Sequence, residues 1–122
     1  MQIADEIIKL TRQSLGDLLE GRRREGQAYA GPERRRYPRW PFPGTVELWP
    51  ADGDGRQRWL GTCRDINEHG LGMGCEVAFE PGTLIEIALH LPEATFCGHA
   101  TARYCVEVRG EYMIGLEFQF PE

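Results

Sequence analysis

The chain has 122 residues with 41% hydrophobic and 27% charged side chains, proportions of one ordinary globular domain. No stretch approaches the ~18–20 apolar residues of a membrane span, and the opening "MQIADEIIK" puts acids where a secretory signal needs a basic start, so the expected compartment is the cytoplasm, with the cysteines reduced. The net charge of −5 conceals an asymmetry: seven of thirteen arginines lie between Arg22 and Arg39, whereas from Asp65 onward ten acids face only Arg103 and Arg109. A bulk polyanion binder spreads its basic charge over a face; basic charge in one segment beside an acidic body points to a small anionic ligand.

Residues 1–20 are expected to hold an amphipathic helix over 3–20, with Ile3, Ile7, Leu10 and Leu18 on one side and Gly21 as its stop. Residues 21–33 lack apolar periodicity and form a basic linker. From residue 34 to 122 the pattern changes to that of a barrel domain. Strands are expected at 45–49, 58–66, 71–77, 84–91, 96–108 and 112–120, the fifth bent or bulged. Six short strands, each with one apolar face, predict a mainly β fold, a six-stranded antiparallel barrel preceded by an α-helix. Gly72 and Gly74 leave the outer face of their strand bare, through barrel curvature or to admit a closely packed helix.

Two stretches carry chemistry. "GPERRRYPRWP" (31–41) places Arg34, Arg35, Arg36 and Arg39 among prolines that keep them in an extended or turning loop. An arginine fork gives paired hydrogen bonds to a phosphodiester or a guanine edge, and its face stacks on bases. "RDINEHGLGM" (64–73) offers Asp65 as acceptor for the N1–H and N2–H donors of guanine, Asn67 as donor and acceptor on the same side if the strand continues, and Gly70 for a tight turn with positive φ. His69 stands in the same turn.

In this order, ahead of these strands, the two stretches resemble the PilZ domain family of bacterial cyclic di-GMP receptors. Arg35 and Arg39 match R-x-x-x-R, Asp65 and Gly70 match [D/N]-x-S-x-x-G with Asn67 at the serine, and "GLEF" (115–118) is similar to the closing strand. The resemblance covers residues 31–120 and implies a receptor, not an enzyme, with no cofactor and no metal. Its ligand would be cyclic di-GMP, clamped by Arg35 and Arg39, read by Asp65 and Asn67, and bound as an intercalated dimer because Arg34 precedes the first motif. Ordering of the arginine segment on the barrel would then be transmitted to the N-terminal helix or to a downstream protein.

Other readings are weaker. The single serine, Ser14, is far in sequence from any histidine, and the four cysteines lack C-x-x-C spacing, which leaves Cys97, His99 and His90 as a thin case for zinc or a thiol–histidine pair. RNA binding by a small barrel conflicts with the acidic strands and the absence of an exposed aromatic row; Trp40, Trp49 and Trp59 are expected to seal the barrel end. A PilZ-like protein-interaction module that binds no nucleotide is the remaining alternative.

Overall fold

A computed structural model describes residues 6–26, 40–53 and 55–121, with the backbone alone at residues 25 and 40–43. Arg34, Arg35 and Arg39 lie outside the described residues, as do the Trp40 side chain and the rest of the expected linker beyond Gly26.

Seven strands and one helix follow in order: β1 (Ile7–Lys9), α1 (Arg12–Gly26), β2 (Trp40–Pro50), β3 (Trp59–Ile66), β4 (Gly70–Cys75), β5 (Leu84–His90), β6 (Thr95–Val108) and β7 (Glu111–Gln119). The last six form a closed antiparallel barrel, β2–β3–β4–β7–β6–β5 and back to β2. Closure leaves no barrel edge, and the inward positions of every strand meet in one core. Val46, Leu48, Met73, Ile85, Ile87, Leu89 and Ile114 are all at most 1% exposed. Trp59 meets Phe79 edge to face, with ring centroids 5.1 Å apart, and packs against that core as expected of a residue that seals it. Among the described residues, no helix is long and apolar enough to cross a membrane.

The N-terminal segment differs from the 3–20 helix expected. Residues 7–9 form a parallel strand against β6, Ile7 opposite Thr95 and Lys9 opposite Cys97. Ile8 and Leu10 turn inward while Ile7, 72% exposed, and Lys9 face out, a period of two that the helical reading also accommodates. The helix starts where its cap is. Thr11 Oγ1 accepts from the Ser14 backbone N–H at 3.0 Å, and Ser14 Oγ accepts from the Thr11 N–H at 2.9 Å, a reciprocal capping box that satisfies two donors. From there α1 runs past Gly21 to Gly26, taking in Arg22–Arg24. Arg23 and Arg24 pair with Glu20 on the helix, and Arg22 with Glu93 at 2.6 Å. Leu15, Leu18 and Leu19 bury the apolar stripe in the same core as the barrel strands. The helix face that needed a partner has found its own barrel.

Single-residue shifts interrupt three ladders, between Pro41 and Gly44 in β2, between Cys63 and Asp65 in β3, and between Ala102 and Tyr104 in β6. The β6 shift is the irregularity expected in the long fifth barrel strand. In β3 the buried positions run Gly61, Cys63, Ile66; in β6 they run Ala100, Ala102, then the partly buried Cys105. A step of three replaces a step of two, so two successive side chains reach the outer surface at each place.

Candidate functional site

The β3–β4 turn and the two bulges converge on one outward cleft of about 230 Å³ across β4 and β7. Asp65, Asn67 and His69 line one side, Arg103, Tyr104 and Glu117 the other, and Gly70, Gly72 and Gly115 the floor. Asp65 comes from the β3 bulge, and its Oδ1 accepts the Gly72 N–H at 3.1 Å, which fixes the carboxylate over β4. A Cβ on Gly72 would stand 2.8 Å from that oxygen. What the bare outer face of β4 admits is therefore the Asp65 carboxylate at this position, rather than a helix.

Asn67 does not continue the strand, since β3 ends at Ile66. Its Oδ1 accepts from the backbone N–H groups of His69 (2.7 Å) and Gly70 (3.1 Å), while its own N–H donates to Gly70 O at 2.9 Å. The side-chain oxygen is committed to holding the turn, and the amide NH₂ is the part that supplies donors. A serine hydroxyl can make the same kind of turn more weakly.

Gly70 is needed for a different reason than the one expected. Positive φ among described glycines occurs at Gly55, Gly82 and Gly110, not at Gly70. A Cβ at Gly70 would instead lie 1.8 Å from the carbonyl oxygen of Leu116 on β7. The glycine lets β4 start tight against β7, where Phe118 N–H donates to His69 O at 2.8 Å.

Sequence reasoning missed Arg103, Tyr104 and Glu117. Tyr104 is 52% exposed with its ring over Gly115, where an added Cβ would fall 2.1 Å from the nearest ring carbon. An aromatic ring lining the cleft is able to stack on a planar group. The one signal in the sequence is "RY" in succession within a strand, which marks a site only once a bulge turns both residues outward.

Behind the site, Cys63 is buried, and burial, with Asp65 adding its charge, pushes the thiol up from the ordinary 9.0 to about 12. The native protein at pH 8 should leave Cys63 unmodified by iodoacetamide while the denatured chain is alkylated there; equal modification would remove the buried-thiol assignment. Because the folded protein holds this proton more tightly, the contribution to stability is intact below about pH 9 and falls as pH rises toward 12, by about 1.4 kcal/mol per unit. Of the Cys97, His99 and His90 grouping, His90 is engaged at both ring nitrogens. His90 Nδ1 meets Thr95 Oγ1 at 2.8 Å, and its Nε2 meets Glu47. Burial, with Glu86 and Glu47, raises the Cys97 thiol. Among the described residues no group of three or more His, Cys, Asp or Glu is placed to hold a metal ion.

Comparison with known proteins agrees with this architecture. The family model for the PilZ domain matches residues 33–122. No curated protein sequence matches the chain. Among solved structures the chain is similar to K. pneumonia MrkH in its complex with c-di-GMP, with a TM-score of 0.58 and 17% identity over 75% of this chain. It spans 46% of the MrkH chain. A family match that runs from the arginine segment to the last strand, on a barrel shared with that structure, makes the chain a member of the PilZ domain family.

Proposed function

We propose that the protein is a cyclic di-GMP receptor whose ligand lies in the β4–β7 cleft. The observation that carries this reading is the pinned Asp65 carboxylate on the cleft wall, at the start of the family's second motif. A carboxylate has about four acceptor positions, a number that matches the Gly72 N–H together with the two donors of a guanine edge. The turn that Asn67 holds brings its amide donors to the same rim, and Tyr104 offers a face for a base. That MrkH was solved with c-di-GMP supports the same ligand class.

Arg35 and Arg39 clamp phosphates and guanine acceptors in this reading, and Arg34 contacts a second base, so that two intercalated nucleotides bind per chain. The arginines lie between α1 and β2 in the sequence. Drawing that segment onto the barrel pulls on the C-terminal end of α1, which Arg22 ties to Glu93. Release or rotation of α1 would pass the signal to a partner protein.

Calorimetric titration of the full chain with cyclic di-GMP tests the reading. Saturable binding near two nucleotides per chain is expected, weakened about tenfold to a hundredfold by Arg35→Ala, as loss of charge-assisted hydrogen bonds implies. No heat, and no binding by an independent fluorescence probe, would leave the alternative of a PilZ-fold interaction module.

A further inference from the structure

The β3 and β6 bulges face each other across β4 and β7, and each sends out an arginine beside a recognition residue: Arg64 with Asp65, Arg103 with Tyr104. Between them the floor is backbone. Gly72 pairs with Gly115, and Gly74 with Met113. Arg64 and Glu111 lie over it at Gly74. A Cβ at Gly74 would stand 3.1 Å from Arg64 Nε and 2.8 Å from Glu111 Oε1. Each arginine is met by a carboxylate from β7, Arg64 Nη2 by Glu111 Oε1 at 3.7 Å and Arg103 Nε by Glu117 Oε1 at 3.6 Å.

Both contacts are too long for a hydrogen bond. Elsewhere on the surface, Arg58 reaches Glu47 at 3.1 Å and Arg23 reaches Glu20 at 2.7 Å, while Arg24 stands from Glu20 at a similarly long 3.6 Å. The four side chains are 44–60% exposed, so water and salt screen these pairs and they hold little energy. The described lining of the cleft itself carries two carboxylates, Asp65 and Glu117, against one arginine. A ligand with two phosphates calls for cations there, and among the described residues Arg64 and Arg103 stand beside the cleft against glutamates.

We infer that Arg64 and Arg103 are a second pair of ligand-binding arginines, held loosely by Glu111 and Glu117 and exchanged onto phosphate when the dinucleotide enters. This rests on the cyclic di-GMP reading and extends it to residues outside both family motifs. Guanidinium and phosphate form short, bidentate, charge-assisted bonds, which replace a loose contact on each side. Glu111 and Glu117 act as keepers: they compete with the ligand for the same guanidinium and keep the empty surface near neutral.

The exchange makes opposite demands on the two residue types. In calorimetric titrations of the full chain with cyclic di-GMP, Arg64→Ala and Arg103→Ala are each expected to weaken binding about tenfold. Glu111→Gln and Glu117→Gln are each expected to tighten it about twofold to fivefold, the worth of an exposed ion pair. Thermal melts of all four variants check that the barrel is intact, and a merely structural role for the ion pairs does not tighten binding. Arginine variants within twofold of the wild type, or glutamate variants that bind no tighter, overturn the exchange while leaving the receptor reading in place. A wild-type chain that binds no nucleotide removes the receptor reading and the exchange together.

Discussion

Gly70→Ala should lower the stability of the barrel by about 3 kcal/mol or more, at or above the upper end of what overpacking usually costs. The added methyl would sit 1.8 Å from Leu116 O and 2.9 Å from Leu116 C, both backbone atoms of the neighbouring strand. No rotamer relieves such an overlap, so β4 and β7 must part at the pairs Gly70–Glu117 and Leu71–Leu116. Leu71, Leu116 and Phe118 are core residues beside that seam, so parting it also loosens packing. In a chain of this size the loss corresponds to a fall of roughly 10 °C or more in Tm. Gly115→Ala is the control. Its methyl meets the Tyr104 ring at 2.1 Å, an overlap nearly as close as that at Gly70 but with a side chain instead of backbone. The ring is half exposed and free to swing outward, so the cost is expected to stay near 1 kcal/mol. Thermal melts of both variants decide the matter. Equal shifts would mean that the two overlaps relax alike and that Gly70 is not the seam's fixed point.

The strands are legible in the sequence because their burial follows their pattern. Leu71, Met73 and Cys75 are buried as their alternation with Gly72, Gly74 and Glu76 requires, and Ile85, Ile87 and Leu89 do the same on β5. Residues 7–10 mislead because Ile7 and Leu10 fit a period of 3.6 while Ile8 and Leu10 fit a period of two; the pairing with β6 decides between them. The capping pair Thr11 and Ser14 is visible in "TRQS" and marks the true start of the helix. Within the site, the motif points to Asp65, Asn67 and Gly70; the structure adds a turn-holding task to Asn67 and gives Gly70 a different reason from the one expected. Asn67 holds the turn through its oxygen, and Gly70 serves strand approach rather than positive φ. The opposite wall is illegible. A bulge is one residue with no composition of its own, and without the Ala102–Tyr104 shift Arg103 and Tyr104 would point to opposite faces.

Asp65→Ala should weaken cyclic di-GMP binding roughly fiftyfold, while costing only about 1 kcal/mol of stability. The two effects separate because the carboxylate has two tasks. Its bond to the Gly72 N–H is one neutral donor on a charged acceptor at a partly exposed surface, and solvent replaces part of what the substitution removes. Its acceptance of two guanine donors is worth more, since those donors lose water on binding and find nothing in its place. Asp65→Asn divides the tasks further. The amide oxygen still accepts from Gly72 or from guanine, but the NH₂ faces a donor-rich edge and the charge is gone. The expected order of affinity is wild type, then Asp65→Asn about tenfold weaker, then Asp65→Ala, with Asp65→Asn melting close to the wild type. If all three chains bind alike, guanine is read elsewhere on the barrel and Asp65 serves the barrel's own structure. If Asp65→Asn falls as far as Asp65→Ala in affinity but not in Tm, the negative charge is what the guanine edge requires.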